Sequence, residues 1–356
     1  MTDTFNKELQ QIAARVRAIF ADDALRPDFA PETLLEAALA YPSAGGKALR
    51  PALLAWCCRM LDGPEDAAVR AGAAVELYHT YTLVHDDVID RDPLRRGQPS
   101  VHARMAKIGR AQFQLDNEET AHYGLSMAIL AGDCLHCWAV KLLATLPALG
   151  ADPAVALRLV ERLQGVVGPA IVEGEARDIE LPFTPVAEVT EAEMLQVIRT
   201  KTAALFAYCG WAGGLLARGV EDDAVRALAA FAEHAGIAFQ LQDDVLGLIA
   251  DEATLGKPVG NDLREGKRTL IIALGWARAS AAQRAELAAV LGNQQAGLAE
   301  IAAATGLLRQ SGAIADVQAL ASRYLDQALG HLAALPASPA LALLRELAAR
   351  MVIREK

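Results

Sequence analysis

The sequence has few positively charged residues for its acidic content, and this argues against a large anionic partner. It contains 34 lysines and arginines and 44 aspartates and glutamates, so the formal net charge is -10. A general nucleic-acid or anionic-membrane surface carries an excess of Lys and Arg. We therefore expect no nucleic-acid partner, and any anionic ligand must bind at local clusters of basic residues.

Long apolar runs and a cysteine framework are also missing. The longest uncharged, mostly apolar run, 203–217, lies between Lys201 and Arg218 and is shorter than the roughly 20 residues that a membrane-spanning helix needs. The start of the chain, MTDTFNKELQQ, does not have the cationic and then apolar stretches of a signal peptide. Five cysteines, an odd number, indicate free thiols and not disulfides. These features predict a cytoplasmic protein with no membrane span.

The residues that are abundant favour helices. Hydrophobic residues make up 53% of the chain, enough for a sizeable core, and Ala, Leu and Glu recur while long β-branched runs are scarce. Gly and Pro separate the apolar segments without forming a linker, so we predict one all-α domain spanning 1–356. Apolar residues at three- and four-residue spacing predict helices over 5–20, 33–40, 48–61, 66–91, 122–146, 153–172, 191–217, 222–250 and 268–290.

One stretch, 104–122, is polar and poorly periodic. A segment of this composition buries too little apolar area to order itself. We therefore predict a mobile surface loop there.

The sharpest local motif is HDDVID at 85–90, where the predicted helix 66–91 ends. Asp86 and Asp90 are four residues apart, so on a helix they share a face, with their Cβ atoms about 6 Å apart. Like charges so placed repel unless a cation lies between them, and hard oxygen ligands suit Mg²⁺ held together with substrate phosphates. A solvated acidic helix end is the other interpretation of this motif.

A second acidic pair, Asp243 and Asp244, follows FQLQ within an apolar helix. Gln240 lies three residues before Asp243 and therefore on the same face. Charged residues in so apolar a segment are seldom fully buried unless they are paired. We predict that two helices face one cavity and hold metal between these two acidic clusters.

Four basic clusters accompany the acidic ones: GGKALRP at 45–51, RRG at 95–97, Lys201 with Thr202, and the segment 256–267. Arginine offers a planar fork to phosphate oxygens and lysine offers a point charge. Each cluster alone is typical of solvated surface charge. Together with the acidic pairs they predict a site that binds diphosphates directly through Lys and Arg and indirectly through Mg²⁺.

The motifs resemble, in order and spacing, the conserved blocks of the trans-isoprenyl diphosphate synthase family. The blocks are GGKALRP, HTYTLVHDDVIDRDPLRRGQPSVH, MAILAGD, KTAALF and FQLQDDVLGLIADEATLGKPVGNDLREGKRT, and they cover about 40–275. The resemblance implies an all-α, single-domain helical bundle of the isoprenoid synthase type around a deep central cavity. It also implies a homodimer that condenses isopentenyl diphosphate with an allylic diphosphate.

The resemblance assigns roles to individual residues. Five aspartates are implied to bind three Mg²⁺ ions: Asp86, Asp87, Asp90, Asp243 and Asp244. The allylic diphosphate site is implied to consist of Arg95, Lys201, Thr202, Gln240, Lys257 and Lys267, and the isopentenyl diphosphate site of Lys47, Arg50, His79 and Arg96. The residues implied to act on the reacting groups are Asp86, Asp87, Asp90, Arg95, Lys201, Asp243 and Lys257. Together they would assist departure of the allylic diphosphate, after which the isopentenyl double bond attacks the carbocation and a proton is lost.

Product length is predicted from Tyr81, five residues before Asp86. In the family that this chain resembles, an aromatic residue at this position forms the floor of the cavity and stops elongation of the product early. We expect geranylgeranyl diphosphate (C20) as the main product and farnesyl diphosphate (C15) as the runner-up. The alternative is that Tyr81 packs in the core or hydrogen bonds to a neighbour, as buried tyrosines commonly do.

Two positions depart from the family pattern. Gly247 stands where many relatives carry a third aspartate, and Glu175 stands where they often carry glutamine. We expect Glu175 to form a salt bridge with a neighbouring cation. A class I terpene cyclase is a less favoured alternative. Its second metal motif normally mixes Asn or Asp, Ser or Thr, and Glu, whereas this chain has a second Asp pair, and Lys47, Arg50 and Arg96 indicate a second diphosphate substrate.

Overall fold

The computed structural model describes residues 2–249 and 260–352, and most of these residues are helical. The α-helices are α1 Thr2–Ala21, α2 Glu32–Ala44, α3 Leu49–Met60, α4 Glu65–Ile89, α5 Val101–Phe113, α6 Asn117–Ala144, α7 Pro153–Arg162, α8 Gly168–Glu180, α9 Glu191–Val197, α10 Ala204–Arg218, α11 Asp223–Ile249, α12 Asn261–Glu265, α13 Leu270–Arg278, α14 Ala281–Val290, α15 Leu298–Gln310, α16 Ala313–His331 and α17 Pro339–Val352. Two π-helical turns are Leu163–Val167 and Ile198–Ala203, and three 3₁₀ turns are Leu146–Leu149, Leu181–Phe183 and Val186–Glu188. The all-α prediction is confirmed.

A single small hairpin is found within the described residues. Its strands, β1 Leu94–Arg95 and β2 Gln98–Pro99, pair antiparallel. Arg96 and Gly97 form the turn with left-handed φ values of 53° and 73°, which is the geometry of a two-residue hairpin turn. The hairpin places Arg95 against Asp87 at the end of α4 and Arg96 against the carbonyl oxygen of Gly45 after α2.

The predicted surface loop at 104–122 is wrong, because most of this stretch is helix. It comprises the end of α5, a turn at 114–116 and the start of α6. In α5 only Val101, Met105 and Gly109 are buried, at a spacing of four, so the helix shows little apolar periodicity although it packs closely on α6.

The described residues divide into two compact units. The first comprises Met1–Arg162, Cys209–Arg226 and Pro336–Leu344, and the second comprises Leu163–Tyr208, Ala227–Leu335 and Arg345–Lys356. That the whole chain forms one domain stays a prediction.

In the first unit, α4 packs against α3 and α6, and α6 packs against α5 and α2. Two fully buried tryptophans, Trp56 and Trp138, fill this core. The Phe5 ring lies 5.4 Å from that of Trp56, and the Phe20 ring lies 5.6 Å from that of Trp138. This packing, worth several kcal/mol of buried aromatic surface, fixes the position of α4, whose last turn carries the first acidic motif.

In the second unit, α8 packs against the π-helical turn Ile198–Ala203. Gly174 allows this approach, since a Cβ atom there would lie 2.5 Å from the backbone nitrogen of Lys201. The close contact places side chains of α8 directly beside Lys201.

The helix α6 is long and apolar enough to cross a membrane by length and composition alone, and half of its most apolar stretch is buried within the protein. The absence of a membrane span therefore stays a prediction. Leu125, Ile129 and Leu130 remain exposed on this helix, by 39%, 42% and 48%.

Candidate active site

The first acidic motif is formed by the end of α4. The backbone nitrogen of Asp90 donates to the carbonyl oxygen of Asp86 at 2.8 Å, so these two aspartates lie one turn apart on the last turn of the helix. Arg91 then adopts a left-handed φ of 58°, which ends α4 and leads into the hairpin. Asp86 and Asp90 are partly exposed, as ligands for a hydrated cation must be.

Asp87, between them, is buried in a different environment. Its side chain is only 1% exposed, against 22% for Asp86. Arg95 donates from Nε to Asp87 Oδ1 at 2.6 Å and also from Nη2, and the hydroxyl of Tyr41 donates to Oδ2. Burial raises the pKa of the Asp87 carboxyl, although its hydrogen bonds and ion pair with Arg95 act in the opposite direction.

A cavity of about 660 Å³ lies in the first unit beside this motif. Its walls include three residues that the sequence assigned to diphosphate binding, namely His79, Arg95 and Arg96. Arg96 Nη1 donates to the carbonyl oxygen of Gly45 at 2.8 Å, so the hairpin is tied to the glycine loop that follows α2. The cavity thus combines cationic side chains with a close backbone loop, as a diphosphate site requires.

Two other predicted residues lie near this cavity. Arg50, on α3, lies close enough for its charge to shift the pKa values of Glu76 and His79. Lys47 is exposed, between Gly46 and Ala48, which both line the cavity.

Sequence reasoning missed Glu76, which lines the same cavity. A Cβ atom on Gly46 would lie 3.3 Å from Glu76 Oε1 and 3.5 Å from Arg96 Nη1. Burial raises the pKa of Glu76, and the charges of Arg50 and Arg96 lower it in part. The available signal was an acidic residue inside an apolar helix, three residues before His79 and therefore on its face.

His79 is held in its neutral form. Burial first, and the positive charges of Arg50, Arg95 and Arg96 second, lower the pKa of His79 well below its ordinary value. A neutral imidazole can donate one hydrogen bond and accept another, so His79 can orient a phosphate oxygen without adding charge.

Tyr81 belongs to a cluster of four rings on α4 and α6. Its ring centre lies 4.9 Å from that of Tyr78, 5.3 Å from His136 and 5.4 Å from His85. A side-chain hydrogen bond also joins Tyr78 and Tyr81. Both interpretations of Tyr81 therefore remain open, since the ring is packed and hydrogen bonded and is also partly exposed.

In the second unit, Lys201 bridges two carboxylates of α8. Its Nζ lies 2.8 Å from Glu175 Oε2 and 2.6 Å from Asp178 Oδ2. The expected salt bridge of Glu175 is thereby confirmed. All three side chains are about one-fifth exposed, so the cluster keeps contact with solvent.

The second acidic motif is connected by hydrogen bonds to Thr202, the residue that follows Lys201 in the chain. Thr202 Oγ1 donates to Gln240 Oε1 at 2.8 Å, and Gln240 Nε2 donates to Asp244 Oδ1 at 2.9 Å. Burial, together with the charges of Asp262 and other nearby carboxylates, raises the pKa of Asp244 to about 8. Such an excess of carboxylates favours a bound cation.

Two further positions complete the second unit's site. A Cβ atom on Gly247 would lie 3.1 Å from Asp262 Oδ2, so a carboxylate from α12 stands beside the position where many relatives have a third aspartate. Lys267 pairs with Glu265 at 3.1 Å. Lys257 lies outside the described residues.

The donor set fits a magnesium ion that is shared with substrate. All the candidate ligands are carboxylate oxygens, which Mg²⁺ prefers. Within the described residues, no group of three His, Cys, Asp or Glu side chains could hold a metal by itself. This agrees with an ion that one or two carboxylates bind together with phosphates. The two acidic motifs belong to different units, and that they face one cavity stays a prediction.

Comparison with known proteins gives consistent matches. The profile of the polyprenyl synthetase family matches residues 31–308. A geranylgeranyl diphosphate synthase of Saccharolobus solfataricus is 35% identical over 321 residues, covering 86% of this chain and 85% of that protein. The crystal structure of geranylgeranyl pyrophosphate synthetase from Pyrococcus horikoshii is 34% identical, with a TM-score of 0.83, and the match covers 99% of this chain and 100% of that one. The geranylgeranyl pyrophosphate synthase of Corynebacterium glutamicum, solved with isoprenyl diphosphate and magnesium, is 30% identical with a TM-score of 0.81, over 99% of this chain and 98% of that one.

Proposed function

Because this chain belongs to the polyprenyl synthetase family and is a trans-prenyltransferase, we propose that it condenses isopentenyl diphosphate with an allylic diphosphate and forms geranylgeranyl diphosphate as its main product. Farnesyl diphosphate is the second candidate product. The observation that carries the proposal is the cavity lined by His79, Arg95 and Arg96 next to the partly exposed carboxylates of Asp86 and Asp90.

The isopentenyl diphosphate would bind in this cavity. Arg50 and Arg96 would neutralise its phosphates, His79 would donate a hydrogen bond, and Lys47 would approach from the exposed loop. Because Arg96 is tied to the carbonyl oxygen of Gly45, part of its side-chain entropy is already lost before the substrate binds, which favours affinity.

The allylic diphosphate would bind through cations and divalent metal. Magnesium, of which three ions are expected with substrate bound, would stabilise the negative charge that develops on the leaving diphosphate. Asp86, Asp90, Asp243 and Asp244 would hold the metal. Direct contacts would come from Arg95, Lys201, Thr202, Gln240, Lys257 and Lys267. Asp87 completes the set of aspartates that the motif predicts as metal ligands.

The chain's own groups assist the reaction chiefly by charge and position. Arg95 and Lys201 would place positive charge against the departing diphosphate, which lowers the barrier to breaking the allylic C–O bond. No side-chain nucleophile is needed, since the isopentenyl double bond attacks the resulting carbocation. Tyr81 would then limit the length of the growing chain. The product length rests on this side chain and on the relatives' names.

We further propose a cytoplasmic homodimer. The exposed apolar residues Leu125, Ile129 and Leu130 on α6 are typical of a surface that a partner covers.

The deciding experiment is incubation of the purified chain with isopentenyl diphosphate, an allylic diphosphate and Mg²⁺, followed by chromatography of the dephosphorylated products. We expect chains that end at C20, and no turnover when the metal is chelated. A hydrocarbon formed without isopentenyl diphosphate would indicate a terpene cyclase instead.

Asp86→Ala and Asp243→Ala should each lower kcat at least 100-fold, because each removes several kcal/mol of assistance to ionisation. The exposed Asp326→Ala on α16 should retain full activity. Near-normal rates in either site variant at saturating Mg²⁺ would contradict the metal assignment.

A further inference from the structure

Both oxygens of the buried Asp87 carboxylate accept hydrogen bonds from protein side chains. Oδ1 accepts two hydrogen bonds from Arg95, which fills both of its lone pairs. Oδ2 accepts from the Tyr41 hydroxyl. A side chain that is 1% exposed also cannot reach an ion that keeps several of its waters, as Mg²⁺ does. The middle aspartate therefore differs in exposure from Asp86 and Asp90, its neighbours on the same helix end.

The contacts of Asp87 determine where Arg95 lies. Two nitrogens of the Arg95 guanidinium bind one carboxylate, and Nη2 also lies 3.4 Å from Asp86 Oδ2. Only 15% of the Arg95 side chain is exposed, and this residue lines the cavity. A guanidinium held in this way presents a fixed fork, so little entropy is lost when it binds an anion.

Tyr41 holds Asp87 from the other side. It lies on α2, four residues before Gly45, and lines the same cavity. Its hydroxyl donates to Asp87 and accepts from the backbone nitrogen of Val101, the first residue of α5, at 3.3 Å. Burial, followed by the hydrogen bond to Asp87, raises the pKa of Tyr41. The hydroxyl thus remains a donor at any physiological pH.

We propose that Tyr41 is a positioning residue of the active site, which fixes Asp87 so that Asp87 fixes Arg95 for the allylic diphosphate, and that Asp87 itself does not bind metal. This inference rests on the proposed function, since it takes Arg95 as a contact of the allylic diphosphate. It separates the three aspartates of the motif into two metal ligands at its ends and one arginine anchor in its middle.

The test compares Tyr41→Phe, Asp87→Asn, the double variant and Asp86→Asn. The probe is an allylic thiolodiphosphate, which resists ionisation, and its binding is measured by calorimetry at several Mg²⁺ concentrations. The control is Tyr123→Phe, which removes the same hydroxyl from a ring on α6 that packs on Phe113 at 5.6 Å and does not line the cavity. The wild-type chain is measured first, and failure to bind the probe with Mg²⁺ would refute the proposed function before any variant is compared.

Tyr41→Phe should weaken probe binding about tenfold, the effect of losing one hydrogen bond to a charged group. Neither Tyr41→Phe nor Asp87→Asn should change the Mg²⁺ concentration that gives half-maximal binding, whereas Asp86→Asn should raise it. The double variant should bind no more weakly than Asp87→Asn alone, since both changes disrupt one connected set of contacts. Tyr123→Phe should bind as the wild type does.

Three results would overturn the inference. They are normal probe binding by Tyr41→Phe, additive losses in the double variant, and an Asp87→Asn chain whose Mg²⁺ requirement rises as that of Asp86→Asn does. If circular dichroism shows that Tyr41→Phe is unfolded, the pair Arg95→Gln and Arg95→Gln with Asp87→Asn replaces it. Asp87→Asn should then cause no further loss of binding, and a further loss would contradict the proposal.

Discussion

At the scale of single residues, Glu175 pairs with Lys201, the proposed contact of the allylic diphosphate, and would compete with that substrate for its charge. Its carboxylate lies 2.8 Å from Lys201 Nζ, and Asp178 holds the same nitrogen at 2.6 Å. Glu175→Gln should keep the shape of the side chain and remove one negative charge. We expect the KM for the allylic diphosphate to fall about fivefold, which corresponds to about 1 kcal/mol for a partly exposed ion pair, while the KM for isopentenyl diphosphate stays the same.

Steady-state kinetics of both substrates measures this effect. Glu173→Gln is the matched control, because Glu173 lies on the same helix and pairs with Arg177 at 2.9 Å on an exposed surface. An unchanged KM in Glu175→Gln, or a higher Mg²⁺ requirement, would show that Glu175 does not act on Lys201 as we describe.

The neutral form of His79 makes stability depend on pH. Its pKa in the folded protein lies well below 6.5, so the unfolded chain takes up a proton that the folded protein does not. Stability is therefore complete above pH 6.5 and declines as the pH falls below that value. Between pH 7 and 5.5, the wild type should lose about 1 kcal/mol more than His79→Gln.

Urea unfolding of the ligand-free protein at the two pH values gives this difference. His122→Gln, which removes an exposed histidine on α6, should keep the full wild-type dependence. Equal losses in the wild type and in His79→Gln would mean that His79 is protonated in the folded state.

At the scale of elements, α4 carries both the first acidic motif and the predicted floor. Tyr81 and Asp86 are five residues apart, so their Cα atoms lie about 7.5 Å apart along the axis of α4. A prenyl chain anchored at Asp86 and growing along the helix would meet the Tyr81 ring. Tyr81→Ala should therefore give products longer than C20, and Tyr81→Phe, which keeps the ring, should not.

Chromatography of the dephosphorylated products tests this prediction. The rings of Tyr78 and His136 remain beside the space that Tyr81→Ala opens, so the increase in length should be limited. Unchanged lengths in Tyr81→Ala, or chains of C30 and longer from the wild type, would place the floor elsewhere.

The elements that sequence could predict were those with a wide apolar face. The helices α4 and α11 have many buried positions per turn, and their periodicity identified them. By contrast, α5 buries only every fourth residue, and its glycine at 109 is invisible to hydrophobic patterning although it accommodates the ring of Tyr123. The many polar residues of this segment therefore predict a loop where the structure has a helix.

In the candidate active site, contacts between residues that lie far apart in the chain could not be predicted from the sequence. Motifs identified Asp86, Asp87 and Arg95, because they lie close together in the chain. Tyr41 is 46 positions from Asp87, and nothing in the sequence around it indicates a partner. The pairing of charges, and hence which aspartate is buried, depends on how α2, α4 and the hairpin pack.

At the scale of the whole molecule, the exposed apolar side of α6 is where we expect the second copy to bind. Ile129→Glu would place a charge in that surface, which costs several kcal/mol if the surface is buried in a dimer. We expect the wild type to sediment as a dimer and Ile129→Glu as a monomer. Leu157→Glu, on α7 and with Leu157 69% exposed, is the control and should remain dimeric.

Analytical ultracentrifugation over a range of protein concentrations measures the outcome. A monomeric wild type, or a dimeric Ile129→Glu, would refute this surface as the interface.

Glu76 affects the relative affinity of the cavity for different anions in solution. A cavity with uncompensated arginines would be occupied by inorganic phosphate and nucleotides, which are abundant in cells. When it is ionised, the carboxylate of Glu76, which lines the cavity close to Arg50 and Arg96, lowers the attraction for any such anion. A prenyl diphosphate whose hydrocarbon tail is also bound has enough charge and contact area to overcome this repulsion. Inorganic phosphate has less of both. An ionised Glu76 would thus lower the affinity of the cavity for all anions and exclude inorganic phosphate more strongly than the substrate.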